Sequence, residues 1–225
     1  MGDKDIIRTG LFIGGASRDT VEHLEIADPA KRGEVVGYAA AATKQNVDYA
    51  ISVAKNAFPS WSSMSAVERA DLMSEAIQGI AEARDDDAAV LSRENGKVRF
   101  EGWIDSLVFE IRWNLALMIA DQVDTGKTLP VAPGIPVSTE VQHQPLGVVT
   151  IIVPFNWPIA ILGAALPHAL LAGNTVIVKP PLTAPLATTR VIERIAAKLP
   201  AGVLNVVTGK DEDMAALIES EDIAK

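Results

Sequence analysis

Residues 147–179 read GVVTIIVPFNWPIAILGAALPHALLAGNTVIVK. The order is an apolar β-branched run, a short loop, an apolar helix-length run, and a second β-branched run that ends at Lys179. This is a β-α-β unit, and it takes a right-handed crossover if the two strands are parallel. At the end of its first strand stands Pro154-Phe155-Asn156-Trp157-Pro158, one polar side chain between two prolines. Each proline fixes its own φ and restricts the residue before it, so the loop is stiff.

Downstream, the pattern repeats. Pro185 to Leu199 reads as a helix with Val191, Ile192, Ile195 and Ala196 inward. Leu204 to Thr208 is a third strand, and Gly209 opens a helix over about Glu212 to Ser220. Ile223-Ala224-Lys225 reads as the start of a further strand. Strands alternating with helices imply an open α/β sheet, whose ligands bind at the carboxyl ends of the strands. Those ends are 154–157, 179–182 and 209–211.

Upstream, Leu11-Phe12-Ile13 and Val35-Val36-Gly37-Tyr38-Ala39 suggest a hairpin. Val47, Ala50, Ile51, Ala54, Ala57 and Phe58 recur at helical spacing until Pro59. Ser65-Ala66-Val67-Glu68 is a capping box. Asp85-Asp86-Asp87 suits the positive end of a third helix, stopped at Asn95-Gly96. A fourth helix covers about Arg99 to Asp121. Residues 124–144, rich in Thr, Val and Pro, read as a projecting hairpin with a turn at Pro133-Gly134.

Composition removes several function classes. The formal net charge of −9 argues against a broad nucleic-acid surface. There is no cysteine, hence no disulfide framework and no thiolate zinc site, and His23, His143 and His168 lack metal-ligand spacing. The terminus MGDKDIIRTG has no signal core, and the apolar run Ile159 to Ala172 is too short to span a bilayer. A soluble, cytoplasmic protein is expected.

Three residues are candidates for chemistry. Asn156 offers two uncharged N–H donors, suited to an oxyanion forming on a carbonyl, where one donor contributes ~3–4 kcal/mol; Asn-x-Pro is also ordinary turn chemistry. Lys179 could meet a ribose or a phosphate, or be a solvated strand-end lysine. Gly209 could admit a nucleotide to the backbone or make a turn. Gly-x-Gly-x-x-Gly is absent. His168 is expected to be packed inside its helix, and Trp61, Trp103 and Trp113 to be anchors. Spacing alone yields neither nucleophile nor general base.

Taken together, these residues resemble the aldehyde dehydrogenase superfamily from about Ile26 onward. The resemblance rests on Asp28-Pro29, Gly33-Glu34-Val35-Val36-Gly37, Ala57-Phe58-Pro59-Ser60-Trp61, Glu68-Arg69-Ala70 and Arg93-Glu94-Asn95-Gly96-Lys97. It continues in Pro145-Leu146-Gly147-Val148-Val149, Pro154 to Pro158, Ala172-Gly173-Asn174-Thr175-Val176, Lys179-Pro180 and Leu199 to Val207. It implies the first part of a Rossmann-type cofactor domain with N-terminal helices (1–127 and 145–225) and a β-hairpin arm for homo-oligomerisation (128–144). The implied activity is oxidation of a small aldehyde to an acid with NAD or NADP. Asn156 matches the oxyanion-hole asparagine. Ile152, Val153, Pro154 and Phe155 match positions beside the nicotinamide, Lys179 and Pro181 positions at the adenosine ribose, and Trp157, Ala160 and Ile161 positions near the substrate tunnel.

Three departures from that family are visible. Its nucleophilic cysteine, general-base glutamate and a phosphate-contacting turn lie further along than this chain runs, so a fragment inactive by itself is expected. The alternative is a non-catalytic nucleotide-binding or subunit-pairing module. The usual ribose-binding glutamate is here Leu182, which opens the way to NADP; Lys-Pro-Pro also resembles NADP-using non-phosphorylating glyceraldehyde-3-phosphate dehydrogenases. A Gly-x-x-x-Gly after the third strand is replaced by Asp211 and Ala215, which changes the adenine side.

Overall fold

The computed structural model describes residues 6–129 and 137–224. Five short strands open the chain: β1 (Ile7–Thr9), β2 (Leu11–Ile13), β3 (Ala16–Arg18), β4 (His23–Ala27) and β5 (Val35–Ala40). Helices α1 (Lys44–Ser62), α2 (Ala66–Ala76), α3 (Ile80–Asn95), α4 (Arg99–Leu117) and α5 (Ala120–Val123) follow. An exposed antiparallel ladder pairs β6 (Lys127–Leu129) with β7 (Thr139–Val141). The expected Pro133-Gly134 turn lies outside the described residues. Then come β8 (Val148–Ile152), α6 (Pro158–Leu171), β9 (Thr175–Lys179), α7 (Leu186–Ala196), β10 (Leu204–Val206), a 3-10 turn at Asp211–Asp213 and α8 (Ala216–Glu219).

The main sheet has the order β3-β2-β10-β9-β8. Strands β8, β9 and β10 are parallel, with Ile152 opposite Lys179 and Val206 opposite Val178. On the outer side of β8, Ile223 makes a parallel bridge to Val148, and the Ala224 amide donates to the Val148 carbonyl at 2.9 Å. The strand expected at Ile223 therefore begins beside β8, on the side away from β9. The strand order reverses there, and such reversals are where open α/β sheets bind ligands.

The hairpin expected between Leu11–Ile13 and Val35–Ala39 does not form. β2 turns back into β3 and lies antiparallel to β10, while β5 joins a second sheet between β1 and β4. Both runs are strands, but each pairs on one side with its neighbour along the chain, β2 with β3 and β5 with β4, and on the other with a strand remote in sequence, which local pattern does not choose.

The parallel strands bury both faces, as their unbroken apolar runs require. On one face Val149, Ile151, Val176 and Val178 pack with α6 and α7; on the other Val148, Ile177 and Val207 pack with Val47, Ile51 and Ala54 of α1. Each fully buried Leu or Ile contributes ~1.5–3 kcal/mol. Helix α6 is wedged between the sheet and α4. A Cβ on Gly163 would stand 2.9 Å from the Phe109 Cα, so this close crossing needs glycine. His168, expected inside, is exposed: it shares the outer stripe of α6 with Ile161, Ala164 and Ala165, while Leu162, Leu166 and Leu170 take the core.

Other helix boundaries also moved. Helix α1 starts at a Thr43–Asn46 capping box and runs through Pro59 to Ser62. A proline removes a single backbone donor, and the last turn is anchored by buried Trp61, whose Nε1 donates to the Leu170 carbonyl at 3.1 Å. Helix α2 begins at the expected Ser65–Glu68 box. Helix α3 starts at Ile80 and not at Asp85, so the acidic run is internal. Asp87 is fully buried against Arg194 of α7 at 2.5 and 2.8 Å, with Arg190 at 3.4 Å. The helix expected over 212–220 is broken between the 3-10 turn and α8, where Met214 packs inward. Among the described residues, no helix is long and apolar enough to cross a membrane.

Glu94, near the end of α3, holds the start of α7. Its two carboxyl oxygens accept the Leu186 and Ala187 amides at 2.7 and 2.8 Å, a cap that Pro185 has no side chain to supply. Burial pushes this carboxyl up to about 8 from 4.5, against the pull of the two amides. The folded state therefore keeps a proton that the unfolded chain gives up, and the contribution to stability, full below about 4.5, declines as pH rises through about 8. Urea unfolding of wild type and Glu94→Gln between pH 5 and 9 is expected to show a steeper fall with pH for the wild type. Parallel curves would contradict this assignment.

Candidate functional site

The sheet ladders run on past the strands: the Val153 amide donates to the Lys179 carbonyl at 3.2 Å and the Val207 amide to the Val178 carbonyl at 3.0 Å. The three predicted strand ends therefore lie side by side. Val153 is buried, Pro154 and Asn156 are exposed, and Ile152 and Phe155 present large apolar surfaces, 50% and 63% exposed. Trp157 is the N-cap position of α6 and Pro158 its first residue, where a missing N–H costs nothing. One turn on, Ala160 is buried and Ile161 lies on the exposed stripe.

A clamp from α3 and α4 holds this loop from behind. Asn95 Nδ2 donates to the Phe155 carbonyl at 2.5 Å, and Lys97 Nζ donates to the Asn156 carbonyl at 2.5 Å. The same ammonium lies 3.0 Å from Asp105 Oδ2 and 4.2 Å from the centre of the Trp157 ring. Asp105 Oδ1 accepts the Ala160 amide at 2.5 Å, and Arg112 Nη1 donates to the Ala160 carbonyl at 2.5 Å. Asp105 is fully buried. Desolvation raises its carboxyl pKa, opposed by the Ala160 amide and the Lys97 ammonium.

The clamp determines what the loop can do. The free amides at the start of a helix ordinarily attract anions. Here Pro158 has none and Asp105 takes that of Ala160. A side-chain donor stands at the strand end as well: the Asn156 amide, exposed and without a hydrogen-bond partner among the described residues. Its backbone is fixed by Lys97 while its amide is free, which suits a donor aimed at a transient charge.

At the next strand end, Lys179 Nζ lies 3.0 Å from Asp211 Oδ1. Pro181 is buried behind Lys179. Leu182 lines a cleft of about 510 Å³ with Phe155, Thr183, Asn95, Glu25 and Pro29. The bare side of Gly209 faces inward: a Cβ there would meet Met214 Cε at 2.4 Å and the Ala42 carbonyl at 3.0 Å, so packing accounts for this glycine. Beside β8 a hollow of about 390 Å³ is walled by Thr150, Ile152, Leu217, Ile218, Ile223 and Ala224. A larger cleft of about 710 Å³ lies elsewhere, lined by Glu22, Asn46, Lys210, Glu212 and Asp213 among others, and contains none of the loop residues. Among the described residues no cluster of His, Asp or Glu is placed to hold a metal ion.

Asn95 and Lys97 were read in the sequence as a helix stop and part of a motif series, and Asp105 not at all. The available signal was a lysine directly after the Asn95-Gly96 stop, two turns before an aspartate that falls on the same helix face as Phe109. That signal becomes specific only once α4 is seen to pack on α6.

An open sheet whose parallel strands end in a clamped loop and a lysine–carboxylate pair defines a protein of the open-sheet α/β class. The aldehyde dehydrogenase family model matches residues 16–225, and the chain belongs to that family. It is 34% identical over 215 residues to the D-glyceraldehyde dehydrogenase (NADP(+)) of Picrophilus torridus, covering 91% of this chain and 41% of that protein. It is 33% identical over 228 residues to malonate-semialdehyde dehydrogenase 1 of Geobacillus kaustophilus, covering 94% of this chain and 43% of that protein. The crystal structure of PnpE in complex with nicotinamide adenine dinucleotide superposes with a TM-score of 0.87 at 32% identity, covering 96% of this chain and 44% of that one. The chain thus spans less than half the length of these relatives.

Removing one partner from a buried ion pair strands the other. Lys97→Met is expected to cost about 3 kcal/mol in urea unfolding and to speed amide exchange over residues 155–161. Adding Asp105→Asn should recover part of the loss. Unchanged exchange in that loop would separate Lys97 from loop positioning.

Proposed function

We propose that this chain is the cofactor-binding, N-terminal portion of an NAD(P)-dependent aldehyde dehydrogenase that oxidises a small aldehyde to its acid. The observation that supports this best is the clamped strand-end loop, which holds the Asn156 backbone and presents its side-chain amide, a free donor, at the carboxyl edge of three parallel strands. A nicotinamide dinucleotide fits the residues present. Ile152, Val153, Pro154 and Phe155 offer an apolar edge for a ring, Ile152, Leu217 and Ile218 a wall beside it, and Lys179 with Asp211 a donor and an acceptor for ribose hydroxyls. When bound, that group accepts a hydride from the substrate. The Picrophilus relative is named for NADP(+) and PnpE was solved with the dinucleotide, so both forms are within the family's reach.

In this reading Asn156 donates to the aldehyde oxygen as it gains negative charge, and Lys97, through the Asn156 carbonyl, keeps that donor in place. Trp157, Ala160 and Ile161 border the approach of the aldehyde. The nucleophile is assigned outside these 225 residues, which hold no cysteine, so the chain assayed alone should not oxidise aldehydes. The 128–144 segment is read as an oligomerisation arm, supported by the exposed β6–β7 ladder and its unpaired edges.

In the full-length protein, Asn156→Ala is expected to lower kcat ~100-fold or more while leaving dinucleotide affinity nearly unchanged, read by steady-state kinetics and calorimetry. A near-normal rate would take Asn156 out of the mechanism. Deleting residues 128–144 should reduce the mass measured by light scattering; an unchanged oligomer would remove the arm from the interface.

A further inference from the structure

The lysine at the end of β9 is not a bare cation. Its side chain is only 9% exposed, while that of Asp211, 3.0 Å away, is 82% exposed. The ammonium is thus sunk in the strand end and the carboxylate stands on the solvent side of it, at the start of the turn that follows β10. A lone lysine at this place would attract a phosphate as a point charge. A lysine already paired with an exposed carboxylate presents a donor and an acceptor side by side, which matches a vicinal diol. Open α/β sheets place such a carboxylate on the ribose hydroxyls of a dinucleotide, and a 2′-phosphate needs a cation there instead. Glu212 and Asp213 follow Asp211 in the same exposed turn and deepen the negative field. Leu182, the position at which the sequence suggested loss of a ribose carboxylate, faces the cleft beside Phe155 and Thr183.

We propose that Asp211, paired with Lys179, is the specificity-determining carboxylate of this protein: it accepts the hydroxyls of an unphosphorylated adenosine ribose and repels a 2′-phosphate, so NAD is preferred over NADP. The proposal rests on the cofactor site assigned above. It reverses the expectation drawn from Leu182, because the carboxylate has moved from the segment after β9 to the turn after β10.

The test is calorimetric titration of the full-length protein with NAD and with NADP, for wild type, Asp211→Asn and Leu182→Glu. Wild type should bind NAD more tightly. Asp211→Asn should narrow the NAD-to-NADP affinity ratio by ~10-fold or more, chiefly through tighter NADP binding. Leu182→Glu should change the ratio little, since a carboxylate already serves the ribose. Asp211 is exposed on a short turn, so circular dichroism should find both variants folded. Tighter binding of NADP by the wild type, or a ratio indifferent to Asp211→Asn, overturns the proposal and leaves the cofactor site standing. Binding of neither nucleotide overturns the cofactor site, and this inference with it.

Discussion

Two buried carboxylates, neither of them in the sheet, hold the starts of the two helices that follow β8 and β9. Asp105 of α4 takes the Ala160 amide in the first turn of α6, and Glu94 of α3 takes the first two amides of α7. A helix start leaves several N–H groups without internal partners, and burying them unpaired is costly. Neither N-cap position can help: Trp157 and Pro185 have no side-chain acceptor. The α3–α4 pair supplies the acceptors from across the domain, so the strand-end loops keep their shape only while that helical layer is docked.

The same layer sets the electrostatics of the site. Asp105 is kept in the interior by the Lys97 ammonium and the Ala160 amide, and burial resists its ionisation. The Lys97 ammonium spends its remaining reach on the Asn156 carbonyl and the Trp157 ring. The positive end of α6 is thereby occupied from within the protein. In the proposed function, negative charge arising on the aldehyde meets the Asn156 side chain, an uncharged donor whose backbone carbonyl is held by Lys97. A neutral amide binds a developing oxyanion without binding a resident anion strongly beforehand, which is the differential that lowers a barrier.

The chain covers less than half of its curated relatives, and its site is correspondingly one-sided. It has a strand-end floor, a polar donor and the Lys179–Asp211 pair, and among the described residues Ile223 and Ala224 reach the outer edge of β8. The exposed apolar residues at Ile152 and Phe155 are consistent with a floor that contacts a ligand or further protein.

The amino-acid sequence by itself determined the β-α-β order from Gly147 to Lys179, the Ser65–Glu68 helix start, the stop at Gly96, the inward face of α7 and the stiffness of the Pro154–Pro158 loop. Each of these follows from interactions between residues a few positions apart. It also carried the motif series that marks the family. Tertiary structure decided the rest, where the partner is far along the chain. It sent Leu11–Ile13 and Val35–Ala40 to different sheets, turned Asp85–Asp87 from a helix start into the site of a buried Asp87–Arg194 pair, and put His168 outside. It made Lys97 and Asp105 the supports of the Asn156 loop, and it set Asp211 of the turn after β10 beside Lys179. Pattern along a chain specifies which face of an element is apolar; which element covers that face is settled by packing between segments that periodicity cannot connect.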